Sequence, residues 1–96
     1  MTDYELTVVL KPTLTEKELD KEVKYFTDLV EKIGAKITKK VDPAKRNLAY
    51  AIQKFKEAYY LYFELTMKPA EVSAVEQKIK LQENFLRYLI VKKDVK

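Results

Sequence analysis

The apolar residues of this chain recur with a period of two, then of about 3.6, then of two in two successive stretches, then of about 3.6 again, and finally of two. Few folds can accommodate that order. In "YELTVVL", Tyr4, Leu6, Val8 and Leu10 fall on one side of a predicted strand, and Glu5, Thr7 and Val9 on the other. "LTEKELDKEVKYFTDLVEKIG" then places Leu19, Val23, Phe26, Val30 and Ile33 along one helical stripe. Thr15 with Glu18 fits a capping box, Leu14 with Leu19 a hydrophobic staple, and Gly34 a left-handed stop.

"AKITKKV" returns to alternation with Ile37 inward, Pro43 interrupts the run, and "NLAYAI" resumes it. This stretch reads as one long interrupted strand or two short ones. Polar residues from Gln53 to Lys56 turn the chain into "AYYLYFELTM", where Tyr59, Leu61, Phe63, Leu65 and Met67 oppose Tyr60, Tyr62, Glu64 and Thr66. Pro69 suits the first position of a second helix, with Val72, Val75 and Ile79 as its stripe and an end near Asn84. In the closing "FLRYLIVKK", Phe85, Arg87, Leu89 and Val91 alternate against Leu86, Tyr88, Ile90 and Lys92, and the first set is read as inward.

The element order is β-α-β-β-α-β, which predicts an α+β, ferredoxin-like sandwich: a four-stranded antiparallel sheet with two helices on one face. The expected strand order is 4-1-3-2, so the first and third strands are central and the lysine-bearing second and fourth lie at the edges. At 96 residues, one domain spanning 1–96 is expected. Both helices on one side leave the opposite face bare, and the alternation assigns to it Val9, Tyr60, Tyr62, Tyr88 and Ile90.

Composition narrows the function. The chain has no cysteine and no histidine, which removes disulfides, thiolate nucleophiles, the common zinc sites and the side chain best suited to proton transfer near neutrality. Gly34 is the single glycine, so no glycine-rich loop can cradle a phosphate. No enzyme activity, cofactor or metal is expected. No apolar run nears the roughly 18 residues of a membrane span, and "MTDYELTVVLK" lacks the pattern of a secretory signal, so the expected location is the cytoplasm.

The net charge of +4 is unevenly distributed: residues 35–56 carry seven Lys or Arg against one acid, and residues 85–96 four against one. Lys36, Lys39 and Lys40 suit an edge strand, where charge discourages edge-to-edge pairing. Lys45 and Arg46 are read as a loop after Pro43, open to phosphate contact. Tyr4, Tyr50 and Tyr59 are expected to point inward or sideways. Tyr60, Tyr62 and Tyr88, on the bare face, suggest a protein interface more than base stacking, because "KEAYYLYFEL" is only a loose echo of a sheet-based RNA-binding motif.

Three segments carry a further signal. "YELTVVLKPTLTEKEL", "KRNLAYAIQKFKEAYY" and "KIKLQENFLRYLIVKKD", in that order and across nearly the whole chain, resemble the family of protein six of the bacterial small ribosomal subunit. The chain has Pro43-Ala44, Ala51 and Ala58 where the family usually has Trp-Gly, Pro and Gly. The resemblance implies a structural role in the ribosome: binding of small-subunit (16S) ribosomal RNA together with small-subunit protein eighteen during assembly. Under that reading Lys45, Arg46, Lys54, Lys56, Arg87, Lys92 and Lys93 are the candidates for RNA contact, and Val9, Tyr60, Tyr62, Tyr88 and Ile90 for the partner protein. No membrane and no small-molecule substrate is implied. The alternatives on this fold are a homo-oligomeric interaction module using the tyrosine face and an acylphosphatase-like small-molecule domain, although "LKPTLTE" lacks the glycine a phosphate-cradling loop needs.

Overall fold

A computed structural model describes residues 2–93. Six elements follow the predicted order: β1 (Thr2–Leu10), α1 (Glu16–Ile33), β2 (Lys36–Ile52), β3 (Phe55–Met67), α2 (Pro69–Lys80) and β4 (Phe85–Lys92). The strands form one antiparallel sheet in the order β2-β3-β1-β4, with the two most buried strands in the centre.

The core lies between the helices and one face of this sheet. Leu6, Val8 and Leu10 of β1 and Leu61, Phe63, Leu65 and Met67 of β3 are sealed beneath Phe26 and Val30 of α1 and Val75 and Ile79 of α2. Phe26 is central, with its ring centroid 5.4 Å from Phe63 and 5.7 Å from Phe85, both tilted. Each such side chain contributes about 1.5–3 kcal/mol by leaving water.

Local chemistry fixes the ends of α1. The Thr15 hydroxyl accepts from the Glu18 N–H at 3.2 Å, and the Glu18 carboxylate accepts from the Thr15 N–H at 2.9 Å. Leu14 and Leu19 are both buried, as a staple requires. Gly34 stops the helix at φ 120°, a backbone shape that costs a side-chain-bearing residue dearly. In α2, Pro69 takes the first turn and the Glu71 carboxylate accepts from the Lys68 N–H at 2.7 Å. The helix ends at Lys80, earlier than the expected limit near Asn84.

Two expectations give way here. Lys45 and Arg46 lie in no loop: β2 continues through Pro43 as one strand. Its register shifts between Val41 and Ala44, so Asp42 and Pro43 oppose no residue of β3. A proline has no N–H to lose at such a bulge on an edge strand, and the chain stays extended.

The second correction concerns β4. Tyr88 opposes Val8 and Ile90 opposes Leu6, so both belong to the helix-covered face rather than the bare one. The Tyr88 hydroxyl donates to the Glu76 carboxylate of α2 at 2.8 Å, and Tyr88 and Ile90 pack against the core. The cause is a register irregularity where Leu10 meets Phe85 and Val9 meets Arg87. One extra residue inverts the alternation. Phe85 remains inside, while Arg87, Leu89 and Val91 turn to the bare face.

Candidate functional site

The strand register resolves the uncovered face into three rows. One carries Val91, Glu5, Glu64 and Lys39; the next Leu89, Thr7, Tyr62 and Val41; the third Arg87, Val9, Tyr60 and Ala44. The middle row is the most apolar where solvent reaches it. Leu89 is 62% exposed and Val41 44%, on either side of a half-buried Tyr62. Partial burial, with Glu5 and Glu64 adding negative charge nearby, pushes the Tyr62 phenol above its ordinary pKa.

The third row brings cations against aromatic surface. The Arg46 guanidinium lies 5.8 Å from the centre of the Tyr60 ring, within reach of a cation–π contact. Arg87 stands at the β4 end of this row, with Val9 between it and Tyr60; Val9, expected to be open to a partner, has the right parity but is buried at 8% exposure. Leu48, Ala49, Tyr50 and Ile52 of β2 share a hollow of about 200 Å³ with Val9, Tyr60 and Arg87. Tyr50, expected to point inward or sideways, is 69% exposed.

Among the predicted basic residues, neighbours in sequence part company in space. Arg46 faces the uncovered side, whereas the Lys45 ammonium sits 5.2 Å from the ring centre of Tyr59, whose strand position belongs to the helix-covered face. Lys54 occupies the tight turn between β2 and β3, and Lys56 follows it on β3. With Arg87, these four residues share the hairpin end of the sheet. Lys92 and Lys93 lie at the opposite end, where β4 finishes beside Tyr4 and Asp3.

Lys93 is already engaged. Its ammonium donates to Glu64 at 2.6 Å, with Lys39 at 3.7 Å from the same carboxylate. The hydrogen bond from Lys93 holds the Glu64 carboxyl below its usual range, and Glu64 in turn raises Lys93. An ion triad therefore occupies the first row, while Arg87 ends the third and Arg46, opposite Ala58, reaches its Tyr60 ring. Among the described residues no cluster of acidic side chains could hold a metal ion, and no helix is long and apolar enough to cross a membrane.

Sequence reasoning missed Val41, Leu89 and Val91 as exposed apolar residues of this face. The signal was Arg87: an arginine in the set read as inward would have lain beneath the helices without a partner.

A model of the ribosomal protein S6 family matches residues 3–92. The chain belongs to that family. A bS6 protein of the small ribosomal subunit from Heliobacterium modesticaldum is 34% identical over 94 residues, covering 98% of each chain. One from Helicobacter acinonychis is 32% identical over 96 residues, all of this chain and 68% of the relative. Among solved structures, 30S ribosomal protein S6 from Thermotoga maritima superposes with a TM-score of 0.91 at 22% identity, over 96% of this chain and 87% of its own.

Membership in the ribosomal protein S6 family makes the chain a structural protein of the small subunit rather than an enzyme, and places it in the cytoplasmic ribosome. The fold alone would not have done so. The C-terminal domain of the MgtC protein from Mycobacterium tuberculosis shares it with a TM-score of 0.60 at 9% identity, over 97% of this chain and 88% of its own.

Proposed function

We propose that this S6-family chain binds small-subunit ribosomal RNA jointly with small-subunit protein eighteen, RNA meeting the basic hairpin end of the sheet and the partner protein its uncovered face. The observation that carries this reading is Arg46 against the Tyr60 ring, with Arg87 across the buried Val9 at the β4 end of the third row, on a surface neither helix covers. A guanidinium offers a planar fork to phosphate oxygens, and one braced against a ring keeps its donors free for them. Lys54 and Lys56 extend the positive strip toward the hairpin turn. Lys45 reaches the same RNA from the strand's other side, and Lys92 and Lys93 touch it only where it passes the far edge.

The middle row suits a protein instead. Val41, Tyr62 and Leu89 combine apolar area with a phenol, the composition that protein interfaces favour. Tyr88 and Ile90 leave the partner list because they support the core.

A net charge of +4 makes the lone chain a weak RNA ligand, and sharing one RNA site with a second protein raises the effective affinity of both. Two alternatives lose ground by the same reasoning. A small-molecule domain finds no glycine loop, and a homo-oligomer closed through the tyrosine face would bury Arg46 and Arg87 against their own copies.

The test is binding to a transcript of the small-subunit RNA central domain in the presence of protein eighteen, over a range of salt. Reversing Arg46 and Arg87 to Glu should weaken binding most at low salt and reduce the slope of log K against log salt by about 2, one unit per lost phosphate contact. An unchanged affinity and slope would remove the hairpin end from the RNA interface.

A further inference from the structure

The two edges of the sheet are finished differently. β2 carries Lys36, Lys39, Lys40 and Pro43, and its register against β3 shifts three times, which together discourage another strand from adding there. β4 has none of these devices along Tyr88, Leu89, Ile90 and Val91. Its single irregularity lies at its start, and among the described residues no strand pairs with its outer side.

The backbone groups available on that side follow from one hydrogen bond. The Lys93 N–H donates to the Asp3 carbonyl of β1 at 2.9 Å. In an antiparallel ladder the direction alternates, so Arg87, Leu89 and Val91 also turn their backbone groups toward β1. The N–H and C=O of Tyr88, Ile90 and Lys92 then point outward.

We propose that two copies of this chain join β4 to β4, antiparallel about a two-fold axis at Leu89, into one eight-stranded sheet. Self-complementarity selects a second copy as the occupant. In this register Tyr88 opposes Ile90, Leu89 opposes its own twin, Arg87 opposes Val91 and Leu86 opposes Lys92, so no like charges meet directly. Sliding by two residues one way sets Arg87 against Lys93; sliding the other way carries Lys92 past the strand to Asn84. The pair buries Leu89 and Val91, which are 62% and 46% exposed in the single chain. Because the sheet grows sideways, both uncovered faces stay open on the same side of the joined sheet. The seam uses Leu89, which the proposed function gives to protein eighteen, so the dimer belongs to the chain alone, and its test, run without RNA or partner, is separate from the RNA test.

Salt separates the two further. Each copy carries +4, so screening their repulsion strengthens self-association, whereas the same salt weakens RNA binding.

Sedimentation equilibrium of the chain alone, at protein concentrations up to about 1 mM, the range of weak complexes, and at low and high salt, should show a monomer–dimer equilibrium tightening with salt. Leu89→Lys, which sets like charges opposite each other at an exposed position, should weaken it roughly tenfold or more. Leu81→Lys, 72% exposed just beyond α2, should leave it unchanged. The chain has no native cysteine, so Leu89→Cys should oxidise to a covalent dimer and Val91→Cys should not. In the unaltered protein, the amides of Tyr88 and Ile90 should become slower to exchange as concentration rises. A monomer under every condition, or a dimer indifferent to Leu89→Lys, would overturn the proposal.

Discussion

At the scale of single residues, Gly34 and Glu18 carry α1. Gly34 sits at φ 120°, and a Cβ there would collide with the Glu71 carboxylate, which accepts from the Lys68 N–H. Gly34→Ala is expected to cost about 1–3 kcal/mol in denaturant unfolding, through backbone strain and displacement of that carboxylate. Glu18 acts through charge. The backbone hydrogen bond from Thr15, followed by one from the Thr15 hydroxyl, holds its carboxyl below the ordinary glutamate value. A folded-state pKa below the unfolded one means that the stabilisation is complete above the ordinary range and is lost as pH falls through the lowered value. Glu18→Gln should therefore flatten the pH dependence of unfolding below about pH 4, in the carboxylate range, with little change in slope near neutrality.

At the scale of elements, the β2–β3 hairpin turns through Gln53 and Lys54 at φ 48° and 75°, the sign pattern of a type I′ turn built without its preferred residues. Replacing Gln53-Lys54 by Asn-Gly should stabilise the chain by about 0.5–1 kcal/mol, measured as a shift in the unfolding midpoint at constant m-value. The elements themselves were legible in the sequence because each has a clean period. Helix α1 was marked at both ends by Thr15, Glu18 and Gly34, and β3 by five consecutive apolar positions of one parity. Strand β4 was ambiguous: Phe85, Leu86, Tyr88, Leu89, Ile90 and Val91 are apolar in both parities, so alternation could not choose a face. The bulge that inverts it depends on how β1 ends, which is a tertiary fact. Likewise Pro43 reads locally as a break, and only its place on an edge strand lets β2 continue.

At the scale of the whole molecule, the layered fold divides labour between its faces. Two helices seal one side of the sheet and none covers the other, so Tyr60 and Tyr62 stay half-exposed while Tyr88 reaches back to Glu76. Two of the three face tyrosines could be placed from sequence, because β3 alternates cleanly. The placement of Arg46 against the Tyr60 ring and of Arg87 across Val9 from it could not, since both depend on a bulge in an edge strand. Cations and aromatic surface thus converge at the hairpin end, and apolar surface gathers in the row beside it.

The most direct measurement is amide chemical-shift mapping of the labelled chain as the RNA central domain and protein eighteen are added. The account predicts large changes at Val41, Arg46, Tyr60, Tyr62 and Arg87, with Lys24, Val72 and Glu76 unmoved. Changes confined to α1 and α2, with the uncovered face silent, would contradict it.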